Sequence, residues 1–256
     1  MAIIPKITAV SYLNTIPFVY GLKHADNLRA DITLAPPAEC ARNYIEGKAD
    51  IALLPAAVVP ELVDTNVITD YCIGAVGPVR TVTVMSHLPI SKVKRIWLDG
   101  HSRTSVQLCG YLAKHKWHIE PEWLKLGDYS RTEDAPEEDA FLLIGDKVFD
   151  YEGRFPYVYD LAVEWREVTK LPFAFAVWVA RKGVPNETID ALQQALTFGV
   201  EHIWEAVVES PYMGSDNGIT AYEYLTRNID FILDEEKHRA LKKFWDAGIR
   251  IVPRSY

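Results

Sequence analysis

The sequence is poor in cysteine, in clustered positive charge and in long apolar runs. Its three cysteines, Cys40, Cys72 and Cys109, are odd in number and lie in apolar contexts, so they suggest no disulfide framework and read as buried, reduced thiols. A net charge of −8 without a Lys/Arg cluster on any predicted face removes the electrostatic footprint of a nucleic-acid binder. An anionic ligand would therefore have to be held by local donors, because the overall field repels it weakly. No uninterrupted apolar run approaches the roughly 20 residues that span a bilayer, and no membrane partner is expected. There is no glycine-rich phosphate loop and no dinucleotide fingerprint, so no cofactor is expected. His115 and His118, with a two-residue gap, make too weak a pattern for a metal site. Between Met1 and Lys6 there is no basic region, apolar core or cleavage site of an export signal, which leads to an expected cytoplasmic location.

What the sequence does hold is enough apolar mass, 49% of 256 residues, for one large core or two modest ones. Ile7–Val10, Ile32–Leu34 and Ile51–Leu54 read as short strands. Between the second and third, Pro36-Pro37 opens a helix with Cys40, Ala41, Tyr44 and Ile45 at helical spacing, stopped by Gly47. Asn14 or Thr15 can cap a helix that carries Pro17 in its first turn. That βαβαβ order, with strands apolar throughout, predicts a parallel sheet covered by helices on both faces. A second α/β unit is expected around strands at 95–98 and 140–144, with the acidic stretch 133–139 as a solvated connection. After the apolar run Phe173–Ala180, the positions Ile189, Leu192, Leu196, Val200, Ile203 and Val207 predict one long amphipathic helix, followed by two shorter ones. The expected organisation is a discontinuous first lobe, 1–85 plus 181–256, an inserted second lobe, 86–180, and hinge strands near 81–85 and 173–180. A cleft between two such lobes would be a ligand site.

Several segments could bind or react. Ser102-Arg103-Thr104-Ser105 at a helix start offers free N–H groups, the positive end of a helix dipole and three hydroxyls to a carboxylate. Ser and Thr are equally ordinary helix caps, and Arg103 could grip a carboxylate or merely tie down the loop. Ser11 and Asn14 lie beyond the first strand, where open α/β sheets place ligand contacts, although Asn14 could also serve as a cap. Pro37-Ala38-Glu39 and Leu54-Pro55-Ala56 hold the corresponding ends of the next two strands. Gly145-Asp146 follows another buried strand, and His101 adjoins the hydroxyl loop.

Ser11-Tyr12-Leu13-Asn14, the stretch from Pro37 through Gly47 to Pro55, Ser102-Arg103-Thr104-Ser105-Val106, Leu143-Ile144-Gly145-Asp146 and Leu171 to Trp178 occur in the order found in the chorismate dehydratases of the futalosine route to menaquinone, which this sequence resembles over roughly its first 180 residues. The resemblance implies an α/β, type II periplasmic-binding-protein-like fold and a carbon–oxygen hydro-lyase that converts chorismate to 3-[(1-carboxyvinyl)oxy]benzoate and water. It implies Asn14 and Thr81 as catalytic residues, Thr81 standing where some relatives have Ser. As substrate contacts it implies Ser11, Pro37, Leu54, Ser102, Arg103, Thr104, Ser105, Gly145, Asp146 and Phe173. The proton acceptor stays open between Glu39, Asp146 and the substrate's own carboxylate, with the substrate preferred because neither acid has a motif that demands it. The rival readings are a non-catalytic solute-binding protein for small carboxylates and the sensing domain of a transcription regulator, the second lacking a helix-turn-helix region. Oligomeric state leaves no trace in the sequence.

Overall fold

The computed structural model describes residues 4–100, 102–127, 132, 135–213 and 220–255. The chain divides into two compact units, Met1–Gly74 with Ala174–Glu235, and Ala75–Phe173 with Glu236–Tyr256.

With elements numbered along the chain, the first unit begins with β1 (Lys6–Val10), a 3-10 turn (Leu13–Thr15), α1 (Ile16–Lys23), β2 (Asp31–Ala35), α2 (Pro37–Ile45), β3 (Ile51–Pro55) and β4 (Thr65–Ala75). It is completed by β10 (Phe173–Arg181), α5 (Asn186–Glu201), α6 (Ile203–Val208), α7 (Ala221–Arg227) and β11 (Asp230–Ile232). Its six strands run in the order β11-β4-β10-β3-β1-β2. β1 is parallel to both neighbours, pairing Ile7 with Ile32 and with Ile51. β10 is antiparallel to β3, and β11 to β4. The βαβαβ segment is parallel as expected, and β10 and β11 make the sheet as a whole mixed. An apolar run such as Phe173–Ala180 reveals burial on both faces but carries no mark of direction.

α2 ends as expected, with Gly47 in the left-handed region at φ +73° and Cys40, Ala41 and Tyr44 buried. The helix predicted to run to Val207 is instead two, broken at His202, because the apolar stripe continues in phase across the break and periodicity cannot register it. Phe18 of α1 anchors the core edge-on to Tyr71, Trp178 and Phe231, at centroid distances of 6.1, 5.9 and 5.3 Å. Beside it α1 and α5 cross at backbone contact: a Cβ on Gly21 would stand 1.9 Å from the Ala195 carbonyl oxygen, and one on Gly199 would stand 1.9 Å from that of Pro17.

The second unit comprises β5 (Val82–Ser86), β6 (Arg95–Leu98), α3 (Arg103–Leu112), a π turn (Ala113–Trp117), β7 (Glu122–Lys125), β8 (Asp139–Ile144), a 3-10 turn (Asp146–Tyr151), β9 (Tyr157–Asp160), α4 (Leu161–Thr169) and nearly all of α8 (Glu235–Asp246). The sheet order is β7-β6-β8-β5-β9, with β6 parallel to β7 and β8, and β5 antiparallel to β8 and β9. Residues 82–86 therefore form an interior strand of this sheet, and the division between units falls at Gly74/Ala75. The C-terminal tail also differs from the expected grouping with the first lobe. It is tied into the second unit by Gln107 Nε2 donating to the Ile251 carbonyl, the Ile251 N–H donating back to Gln107 Oε1, and reciprocal backbone bonds that join Arg254 to Trp123 and Lys125. The stripe Ala240, Leu241 and Phe244 shows that α8 buries a face, but nothing in a stripe names the surface that covers it.

Candidate functional site

In the first unit, parallel pairing puts the carboxyl ends of β1, β2 and β3 on one edge of the sheet, with Val10 opposite Ala35. The Ser11 N–H donates to the Ala35 carbonyl at 3.3 Å, which holds the exit of β1 against β2. Thr15, buried, closes the turn that follows. Its hydroxyl lies 2.6 Å from the Val10 carbonyl and 2.8 Å from that of Tyr12, and its oxygen accepts the Tyr12 N–H at 3.1 Å. Asn14 rides on this clamped turn, half-buried. The backbone position that caps α1 is Thr15, and that of the 3-10 turn is Tyr12, so the capping role open to Asn14 in the sequence is not taken up. Among the described residues the Asn14 side chain makes no hydrogen bond.

Pro37 is the first residue of α2, packed inward with no N–H to offer, and Glu39 is exposed in the same turn. Leu54 lies inside β3 with 0% of its surface exposed, so in this structure it opens neither side chain nor backbone to a ligand.

In the second unit β6 and β8 are parallel neighbours, and their carboxyl ends bring a second group of loops to one edge. Ser102 caps α3: its Oγ accepts the Ser105 N–H at 3.3 Å and the Ser105 hydroxyl at 3.1 Å. Both bonds use Ser102 as acceptor, which leaves its own O–H to donate, beside the positive end of the helix. Thr104 and Ser105 are buried in the first turn, and Arg103 is exposed. Ser102→Ala is expected to lower stability by about 1 kcal/mol, the usual value of such a cap, as a shift of the urea midpoint with unchanged slope.

Gly145, directly after β8, takes φ +83° and ψ −167°, a conformation that a side chain would strain, and its N–H donates to the Thr81 carbonyl at 2.8 Å. Thr81, buried, is bound in turn to the Val79 carbonyl through its own N–H at 2.8 Å. The structure thus joins Thr81 to Gly145, with half-buried Asp146 next in line. Phe173 is spent in the core, 5.0 Å from the Trp165 ring and 5.3 Å from that of Phe244.

One pair at this edge escaped the sequence reading. Asp99, the residue after β6, is only 2% exposed and binds Lys147 Nζ at 2.6 Å. Lys147 stands two residues beyond Gly145, so the ion pair links the ends of two adjacent parallel strands. An Asp at a strand end is a weak sign by itself, and its partner is 48 positions away.

Other reactive groups play a structural part. All three cysteines are buried and outside any disulfide, and burial pushes the Cys40 and Cys109 thiols up, away from the nucleophilic thiolate. The His115 ring lies 4.4 Å from that of Tyr111, with its pKa lowered by burial and by Lys114. Among the described residues no group of three or more His, Cys, Asp or Glu side chains could hold a metal ion, and no helix is long and apolar enough to cross a membrane. His101, Glu133 and Asp134 lie outside the described residues.

The chain is similar to known proteins over nearly its whole length. A family model described as menaquinone biosynthesis matches residues 5–249. A protein of Thermus thermophilus named chorismate dehydratase is 27% identical over 276 residues, which span 94% of this chain and 98% of that protein. Among solved structures, a protein from Archaeoglobus fulgidus superposes with a TM-score of 0.74 at 18% identity, covering 94% of this chain and 95% of its own. A Candida albicans gene product described as having the generic periplasmic binding protein fold gives 0.60 at 12% identity, with 95% and 90% covered. The alkanesulfonate-binding protein of Xanthomonas axonopodis gives 0.59 at 16% identity, with 96% and 93% covered. At such identities the likeness establishes the periplasmic-binding-protein fold and leaves the chemistry to the site.

Proposed function

Because the chain belongs to the menaquinone biosynthesis family, we propose that it is a chorismate dehydratase, a hydro-lyase that takes water from chorismate to give 3-[(1-carboxyvinyl)oxy]benzoate, and that it acts in the cytoplasm. The name of the Thermus relative supports the substrate. The observation that carries the reading is the Asn14 amide, held on a clamped turn at the carboxyl end of β1 with no protein partner among the described residues.

The reaction removes the ring proton from the carbon that bears the ether, while the neighbouring hydroxyl departs with the C–O electron pair. The new double bond completes a benzene ring, so aromatisation drives the step. Chorismate can also rearrange or lose pyruvate, and the enzyme's task is to select one exit by fixing the substrate. Ser102, through its spare O–H, and the first turn of α3 with Thr104 and Ser105 are assigned to a carboxylate. Arg103, exposed at the same turn, adds positive charge nearby. Asn14 and Thr81 are assigned to the departing hydroxyl or the other carboxylate, with Ser11 beside Asn14 and Gly145-Asp146 beside Thr81. Pro37 and Leu54 shape the edge from which Asn14 projects.

An amide is no base near neutral pH, and among Glu39, Asp146 and the substrate's own side-chain carboxylate the last is preferred, because neither acid has a motif that demands it; the proton it takes is passed to the departing hydroxyl, which leaves as water. Glu39→Gln and Asp146→Asn are accordingly expected to keep turnover within about threefold, whereas loss of a true general base costs about 10²–10⁴-fold. A large loss in either variant would move the base onto the protein. The decisive assay mixes purified protein with chorismate and identifies the product by mass and ultraviolet spectrum. Chorismate that binds and is recovered unchanged would instead make this a solute-binding protein, a role the same fold also serves.

A further inference from the structure

Within the first unit, behind the turn that carries Asn14, lies a cavity of about 230 Å³. Ser11, Tyr12 and Thr15 line it and Asn14 does not, so it shares the turn but not the amide. β1–α1–β2 and β2–α2–β3 run in opposite directions across the sheet. Right-handed crossovers therefore put α1 and α2 on opposite faces, and the cavity belongs to the α1 face.

Its floor is apolar, with Ile16 and Val19 of α1 and Leu34 of the edge strand β2. Tyr20 forms a fixed wall, parallel to the Phe198 ring at 5.8 Å and against the His24 ring at 4.1 Å. Two opposite charges line the same cavity: Lys23 at the end of α1 and Glu209 just after α6. Lys23 has no ion pair among the described residues, and Glu209 is 3.7 Å from His24 Nε2.

From this lining we propose that the cavity binds a small zwitterion with an apolar body, of the class of aromatic α-amino acids, with its carboxylate toward Lys23, its ammonium toward Glu209 and its ring on the apolar floor. Lys23 and Glu209 are both exposed, so water can serve either; a plain aromatic acid would still bring like charge to Glu209 and a plain amine to Lys23, whereas a ligand carrying both charges complements both. The site shares Ser11 and the Thr15-clamped turn with the chorismate assignment but not Asn14, and it does not rest on that reading.

The test is calorimetric titration of the full chain with L-phenylalanine, with phenylacetate and phenethylamine as single-charge controls. L-Phenylalanine is expected to bind with Kd of about 1 mM, in keeping with a ligand of its size, and each control at least about tenfold more weakly. Lys23→Glu, at an exposed position, should fold normally and weaken L-phenylalanine by about tenfold or more, while chorismate turnover is unchanged. Asn14→Ala should bind L-phenylalanine as the unaltered chain does, with chorismate present or absent. Equal binding of phenylacetate, no heat with any of the three, or displacement by chorismate would each overturn the proposal. A chain that binds L-phenylalanine yet leaves chorismate unchanged would instead overturn the dehydratase reading and leave this site standing.

Discussion

Asn14→Ala is expected to lower kcat for chorismate dehydration by about 10²–10³-fold, the range found when one well-placed hydrogen-bond donor is taken from a developing negative charge. KM should change little, because the departing hydroxyl becomes charge-rich only as its bond breaks. Stability should stay within about 0.5 kcal/mol, since the amide makes no hydrogen bond among the described residues and the turn is held by Thr15. Asn14→Asp sharpens the point: it keeps the shape, removes the N–H donors and adds a charge that repels a carboxylate, so its turnover should fall at least as far. Steady-state rates beside thermal melts decide the matter. A loss of less than fivefold, or one that follows unfolding, would remove Asn14 from the chemistry.

Gly21→Ala and Gly199→Ala are each expected to destabilise the chain by about 3 kcal/mol or more, at the upper end of overpacking effects. The new methyl would meet a backbone carbonyl oxygen at 1.9 Å in both cases, Ala195 for one and Pro17 for the other. Backbone cannot rotate out of the way as a side-chain tip can, so α1 and α5 must separate along their crossing. For a chain of this size that corresponds to a fall in Tm of about 10 °C. Gly77→Ala is the control, because its Cβ meets nothing within 4 Å. α1 begins two residues after Asn14, so whatever of either variant remains folded should also lose turnover. Melts of both variants within 2–3 °C of the unaltered chain would show that the helices part without cost.

The legible parts of the fold were those with a local cause. β3 and β8 are uninterrupted apolar runs, and α2 carries its stripe and its glycine stop within a dozen positions. β4, the longest strand, did not stand out, because Thr69 in the left-handed region and the polar residues around it interrupt any alternation. The docking of α8 is decided by neighbours remote in sequence, and the break of α5 at His202 leaves the apolar spacing unchanged. The site divides in the same way. Asn14 and Ser102 could be proposed because the ends of parallel strands and the starts of helices are positions that a pattern marks. The Thr15 clamp and the pairing of Asp99 with Lys147 could not, since each follows from where the backbone finally runs.

The pairing of β3 with β10 sets a schedule for the nascent chain. Leu54 meets Val177 across that ladder, so at ribosomal speeds of roughly 5–20 residues per second a wholly buried strand waits on the order of 6–25 s for its second neighbour. During that interval Ile51-Ala52-Leu53-Leu54 presents an open hydrogen-bonding edge to every other chain in reach. Yield in a host cell should therefore depend on translation rate and on holdase chaperones more steeply than the stability of the finished protein would suggest.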